Sequence, residues 1–216
     1  ALYREIATNG FKSQAELAEN GEDHYAWDGD PAFKGHDEVM ICIGRDGDLL
    51  FRDGKHRLGI AKILQLPGIP VAVGFRHRRW HNLRQEILEY ARGDGGKVYH
   101  PITHPDLCRV PAQHDDGRFE LMRSHLPDGC RTLLDLGSHW GYFCHRFEEG
   151  GLVCTSVENH PKHVYFLKKL HRAENRRFTI VARSLLDLHG PQSYDVVLAL
   201  NIFHHFLKTF RASTTS

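Results

Sequence analysis

The chain has no CxxC pair, no HExxH or HxH pattern, no long apolar run and a formal net charge of only +1, and each absence removes a class of function. Its five cysteines (Cys42, Cys108, Cys130, Cys144 and Cys154) are odd in number and scattered, the pattern of reduced intracellular thiols rather than of a disulfide frame or zinc site. Seventeen histidines invite a metal hypothesis, but no His stands with a Cys at ligand spacing. His77 and His81 lie one helical turn apart among Arg76, Arg78 and Arg79, whose charge repels a cation, so no metal site is expected. The longest apolar stretch, around VVLALNIF, is far too short to span a bilayer. The chain opens at Ala1 without a charged-then-apolar leader, and a cytoplasmic location is the expectation. Lys plus Arg (28) nearly cancels Asp plus Glu (27), which argues against a nucleic-acid partner held through phosphates.

What is present reads as two compact segments, 1–92 and 118–216, joined by a loop-rich linker, 93–117. RGDGGK (Arg92 to Lys97) is turn chemistry, and Pro101, Pro105 and Pro111 keep the next stretch out of regular structure. From about Arg118, short Val-, Leu- and Ile-rich runs alternate with helical patterns, the signature of a parallel sheet with crossover helices. Strands are predicted at Thr132 to Leu136, Leu152 to Val157, Phe178 to Ala182 and Asp195 to Leu200. Helices are predicted at Tyr142 to Glu149 and from Pro161, a residue suited to a first helical turn, through His171.

The chemistry-bearing motif is DLGSHWG. A turn from strand into helix that lets a ligand approach the backbone needs residues without bulk, which Gly137 and Gly141 supply. Amides at the following helix start favour a polar or anionic group, and Ser138 lies among them. Asp135, at the strand tip, can order the loop or reach a ligand through water. Glu158 ends the next strand 21 positions after Gly137, where a carboxylate can accept both hydroxyls of a ribose.

TLLDLGSHWGYF, the glutamate of VCTSVEN and YDVVLALNIFHHF together resemble the class I S-adenosylmethionine-dependent methyltransferases, whose first motif reads roughly DLGCGTGYF. Asp135, Leu136, Gly137, Gly141, Tyr142 and Phe143 match in place. The resemblance covers about Leu121 to Leu207. It implies an α/β fold with a Rossmann-like doubly wound parallel sheet and S-adenosylmethionine as cofactor. It also implies ribose contact by Glu158, Ser184 near the adenine, and Asn201, Phe203 and His204 facing the methyl-transfer site. His204 or His205 would be the base for a hydroxyl acceptor. Asn201-Ile202-Phe203-His204 stands where DNA amino-methyltransferases carry a Pro-Pro-aromatic tetrad, which tilts the expected acceptor to a small molecule or a sugar. His139 and Trp140 replace small residues of the family loop, so a bulkier loop and a narrower pocket are expected. The family sheet has seven strands and this chain carries four, so the sheet is expected to be incomplete; the resemblance implies S-adenosylmethionine-dependent methyl transfer, with an inactive scaffold as the open alternative for the shortened form.

In the first segment, Leu49 to Phe51 predict a strand, Asp53-Gly54 a turn, and His56 to Leu66 a helix burying Leu58, Ala61, Ile63 and Leu64. Ile69 to Phe75 return as a strand. Gly54, Lys55, His56 and Arg57 then crowd a helix start with exposed amides and two cations, a good description of an anion or nucleotide site. The stretch Val39 to Arg79 resembles the ParB/sulfiredoxin-like superfamily, whose GxxR motif before a helix handles nucleotide phosphates, here Gly54 and Arg57. The sulfiredoxin cysteine is absent near this turn, so sulfinate reduction is not expected. This resemblance implies a smaller α+β domain, and it offers the rival function: a nucleotide-binding module with the methyltransferase-like half as scaffold. FRHRRWHNLR (Phe75 to Arg84) is locally basic, but residues 1–100 hold 14 Lys plus Arg against 15 Asp plus Glu, so a solvated face is expected there.

A fourth strand with no neighbour on one side presents unpaired backbone beside the apolar run VVLAL. The isolated chain is expected either to self-associate through this edge or to be rescued by the missing C-terminal strands. Light scattering over a range of concentrations should show mass rising with concentration, whereas a constant monomer mass would show that the edge is already covered.

Overall fold

A computed structural model describes residues 2–20, 38–188 and 193–202. The chain divides into two compact units, Ala1–Asn82 and Leu83–Ser216. The division falls inside a helix, ten residues before the boundary expected at 92.

The first unit opens with helices α1 (Leu2–Asn9) and α2 (Gln14–Glu19). Strands β1 (Met40–Ile43), β2 (Leu49–Asp53) and β3 (Ala72–Arg76) form a sheet in the order β2-β1-β3. β1 pairs antiparallel with β2 (Ile43↔Leu49) and parallel with β3 (Ile43↔Arg76). The central strand β1 was not expected, being only four residues long. Helix α3 (Lys55–Ile63) starts at Gly54, whose φ of +87° suits a residue without a side chain; a Cβ there would meet the Val39 Cα at 2.8 Å. Arg57 and Ala61, one turn apart, form the buried face of α3. Ile63 was expected inside but is 71% exposed, since two positions beyond Ala61 carries it to the opposite side of the helix. Leu58 and Leu64 are half-buried. The basic FRHRRWHNLR stretch is not a uniformly solvated face. It runs into helix α4 (Arg78–Gly93), with Trp80 buried while Arg78 and Arg79 stay exposed.

The second unit is an α/β layer. After helix α5 (Gly117–Ser124) come β4 (Thr132–Leu136), α6 (Tyr142–Glu149), β5 (Val153–Val157), α7 (Pro161–Ala173), β6 (Thr179–Val181), a short 3-10 turn (Leu185–Asp187) and β7 (Val196–Leu198). The four strands are parallel in the order β6-β5-β4-β7. The chain therefore leaves β4 toward one edge and returns to its other side, which makes β4 the point where strand order reverses. One sheet face packs Leu133, Phe143, Phe147, Cys154, Leu167 and Phe178 into a core under α5, α6 and α7. The other carries Leu134, Leu136 and Val157, with Tyr194 and Ile202 against them.

Asp195 fixes the register of the returning strand. Its Oδ2 accepts from the Arg131 and Thr132 amides at 2.8 and 2.9 Å and from the Thr132 hydroxyl at 2.8 Å, while its own amide donates to that hydroxyl. Among the described residues β7 pairs only with β4, and Val197 and Leu200 are exposed.

The expected linker is irregular but not loose. The Val98 amide donates to the Pro111 carbonyl at 2.8 Å and the Gln113 amide to the Val98 carbonyl at 2.8 Å. Val98, Ile102 and Leu107 are buried, so this stretch belongs to the second unit's core. No helix among the described residues is long and apolar enough to cross a membrane.

Gly141 sets the tightest packing constraint. At φ +80°, a Cβ there would lie 2.5 Å from Leu167 Cδ1 and 3.4 Å from Phe178 Cζ, both in buried side chains. Gly141→Ala should destabilise the fold by about 2–4 kcal/mol, from combined backbone strain and overpacking. Urea unfolding of the two chains measures it, and an unchanged midpoint would contradict this packing.

Candidate functional site

The carboxyl ends of the parallel strands bring the sequence-predicted residues to one edge. Asp135 is the penultimate residue of β4, Gly137 to Gly141 form its loop, Glu158 follows β5, Ser184 lies three residues past β6, and Asn201 three past β7. In an open parallel sheet, this edge at the reversal point is where ligands sit.

The loop after β4 is tied to β5. The Gly137 and Ser138 amides both donate to the Val157 carbonyl at 2.9 and 3.1 Å, and the Ser138 hydroxyl lies 2.6 Å from that of Ser156. Ser138 is thus turned into the sheet. Gly137, at φ +71°, is exposed, and a Cβ on it would come within 2.8 Å of Ile202 Cδ1. His139 takes the left-handed conformation at φ +54° without being glycine. The bulk of this loop is absorbed sideways: Trp140 packs on Phe166 (4.5 Å between ring centres) and Tyr90 (5.1 Å), and His139 stacks on Trp140.

Glu158 is buried and holds both loops. Its Oε1 accepts from the Asn159 and His160 amides at 2.9 and 2.8 Å, and its Oε2 accepts from the His139 amide at 2.8 Å. His163 Nδ1 stands 3.8 Å from Oε2. Burial pushes the Glu158 carboxyl up, but the neighbouring His163 and the bonds from the His160 and His139 amides outweigh it and hold it below the ordinary range. Asp135 has the opposite balance. Its side chain is buried, Oδ2 has no hydrogen-bond partner among the described residues, and burial together with the Glu158 charge pushes its pKa up to about 7.

Ser184 caps the short turn after β6, accepting from the Leu186 amide at 3.2 Å. The Asn201 side-chain amide donates to the Tyr99 hydroxyl at 3.3 Å. Residues that sequence reasoning did not single out surround Glu158: Tyr90 on α4, His160 and His163 at the start of α7, and His139. His160 and His163 flank Pro161 at a helix start, a signal that the sequence does contain. Phe203, His204 and His205 lie outside the described residues.

A second polar cluster lies nearby. The His145 Nδ1 is 3.1 Å from Glu174 Oε2, which also accepts from the Thr103 hydroxyl at 2.6 Å and from Arg176 at 2.8 Å. Burial pushes Glu174 up, but His145, Thr103 and Arg176 together hold it down to about 2. Among the described residues no group of three His, Cys, Asp or Glu side chains is placed to hold a metal ion.

In the first unit, the expected anion site is only half formed. Lys55 and His56 are exposed at the start of α3, but Arg57 is buried and turned inward. It pairs with Glu38 at 3.2 Å, donates to the Lys12 carbonyl at 2.5 Å and lies over the Phe11 ring. The guanidinium is a core tie between α3 and the segment before α2.

No protein-family model matches the chain, and no curated protein matches it. Among solved structures, the bifunctional kinase-methyltransferase WbdD is similar at 16% identity and TM-score 0.46, over 56% of this chain and 30% of that one. Monomeric WbdD is similar at 18% identity and TM-score 0.46, over 56% and 32%. A putative S-adenosylmethionine dependent methyltransferase from Listeria monocytogenes is similar at 22% identity and TM-score 0.31, over 38% of each chain. The chain thus spans about a third of the length of the WbdD structures. The parallel α/β character of the second unit rests on its own strand order and register.

Asp135 makes a prediction with a definite sign. Its folded-state pKa lies above the ordinary 3.8, so its contribution to stability is full below that value and is lost as pH rises through about 7. Asp135→Asn should therefore stabilise the fold at pH 8 by about 1–3 kcal/mol and show a smaller gain at pH 5. Thermal unfolding at both pH values decides it; a gain that does not grow with pH would place the charge elsewhere.

Proposed function

We propose that the second unit binds S-adenosylmethionine at the carboxyl ends of its strands and serves transfer of the methyl group to a small-molecule or sugar acceptor. The observation that carries this reading is two acidic side chains at the tips of adjacent central strands, Asp135 and Glu158, flanking a left-handed glycine at the reversal point of a parallel sheet. Asp135 has a buried oxygen with no partner among the described residues, and Gly137 beside it is exposed. These are features that a polar ligand with hydroxyl and amine donors would satisfy.

In this reading Glu158 accepts the ribose hydroxyls, Gly137 and Gly141 let the backbone approach, and Ser184 borders the adenine. Asn201 stands on the acceptor side, past β7. The cofactor, when bound, supplies an electrophilic methyl group, so the chain's own task is orientation and exclusion of water. A hydroxyl acceptor would also need a base, for which His204 and His205 are the proposed candidates. Association of two copies along the side of β7 that no described strand pairs with belongs to the same proposal. The rival reading, a nucleotide or anion held by Gly54, Lys55, His56 and Arg57, loses its main cation to Glu38 and the Lys12 carbonyl.

Calorimetry with S-adenosylmethionine and with its demethylated product tests the reading. Glu158→Ala should weaken binding by about 2–3 kcal/mol, as loss of a charged acceptor does. Equal affinity in the variant and the parent would sink the assignment, and binding of a nucleotide that Lys55→Ala abolishes would favour the rival.

A further inference from the structure

Glu158 is not a lone acceptor. His163 Nδ1 faces its Oε2 at 3.8 Å, and the Tyr90 hydroxyl lies 3.3 Å from the other ring nitrogen, Nε2. The three side chains come from α4, α7 and the end of β5, and form a chain directed at the carboxylate. In the neutral ring, Tyr90 donates to Nε2 and the Nδ1 proton points at Glu158. A second proton on the imidazole reverses the Tyr90 bond and leaves a full positive charge facing the carboxylate. Both partners are largely shielded, with His163 23% and Glu158 7% exposed, so that charge is weakly screened by solvent.

We propose that His163, held by Tyr90, is a positioning residue of the cofactor cleft that in its charged form competes with a ligand's vicinal hydroxyls for the Glu158 carboxylate. The inference rests on the cofactor reading above. Glu158 Oε1 already accepts two amides and Oε2 only the His139 amide, so a diol must work largely through Oε2, the oxygen that His163 addresses. With His163 neutral, 3.8 Å is too long for a direct hydrogen bond, and Oε2 retains capacity for a ligand. With His163 charged, the ion pair uses that capacity, and ligand affinity falls on the acid side.

The other titratable groups around the pair are few. His139 comes from the β4 loop and Asp135 from β4. His160 and Lys162 share α7 with His163, Tyr90 comes from α4, and Tyr99 and His100 lie behind His139. Burial, reinforced by histidine neighbours, holds His139 down to about 3 and His100 down to about 4, so both remain neutral over the pH range tested below. Burial pushes Tyr90 up, and it keeps its proton. Asp135, pushed up to about 7, titrates within that range and needs its own control.

Calorimetric titration of the full chain with S-adenosylhomocysteine, from pH 5.5 to 8.5, tests the proposal. In the parent chain, affinity should fall about tenfold between the alkaline and acid ends, the size of a moderate site–site coupling. His163→Gln, which can hydrogen-bond but not charge, should bind like the parent at pH 8.5 and lose the acid-side fall. Asp135→Asn should keep that fall, and Tyr90→Phe should shift its midpoint. A purely structural His163 would instead weaken binding equally at every pH, and that result, or an unchanged slope in His163→Gln, overturns the proposal while leaving the cofactor reading intact. Absence of binding by every chain at every pH overturns both. Near-ultraviolet circular dichroism confirms that the variants fold, and His163→Asn replaces Gln if they do not.

Discussion

A buried carboxylate that accepts backbone N–H groups from two different loops fixes both loops, and Glu158 does this for the turns after β4 and β5. Each such charge-assisted bond stabilises by about 1.5–3 kcal/mol, and the geometry leaves little choice of loop path. The left-handed backbone at His139, unusual for a residue with a side chain, is held by this bond and by the packing of the His139 and Trp140 rings. If Glu158 were apolar, three backbone amides would lose their partner and the loop after β4 would lose its tie to the turn after β5.

Around that point the second unit is braced by ties of a similar kind. Asp195 joins the foot of β7 to the foot of β4, so that the tips of the same strands are brought level at the opposite edge. Glu174 gathers His145, Thr103 and Arg176 behind α6, so the segment 98–112 is held by polar bonds as well as by its buried Val98, Ile102 and Leu107. Polar groups set the positions, and the core under α5, α6 and α7 supplies the burial that makes the arrangement stable.

Much of this was legible in the sequence because it is local. The span of α6 and the course of β4 follow from short-range period and from glycine at the turn, and Glu158 announces itself by ending a strand. Proline at the first turn of α7 fixed that helix start, and Gly54 marked the start of α3. What was not legible depends on partners far along the chain. Arg57 looked like an anion ligand, but Glu38 lies 19 positions before it and the Lys12 carbonyl 45 positions before it, and together they draw it inward. Tyr90 and His163 are 73 positions apart. The prolines of 98–112 excluded regular structure correctly, yet irregular backbone can still be buried when its amides find partners, as Val98 does. The bulk of Trp140 pointed to a narrowed cleft, but Phe166 and Tyr90 receive that ring to one side.

The strand order has a consequence in time as well as in space. β4 is the first strand of its sheet to be made, yet its second edge is filled only by β7, some 60 residues later. During synthesis, β4, β5 and β6 can assemble with their crossover helices while one side of β4 stays open, and the Arg131 and Thr132 amides wait for Asp195. Long-range parallel pairing of this sort is slow to form, and an open apolar edge attracts other strands while it lasts. The interval between the emergence of Leu136 and that of Leu198 is therefore the period in which this chain most needs protection from its neighbours, and a pause in translation within it would lengthen the exposure.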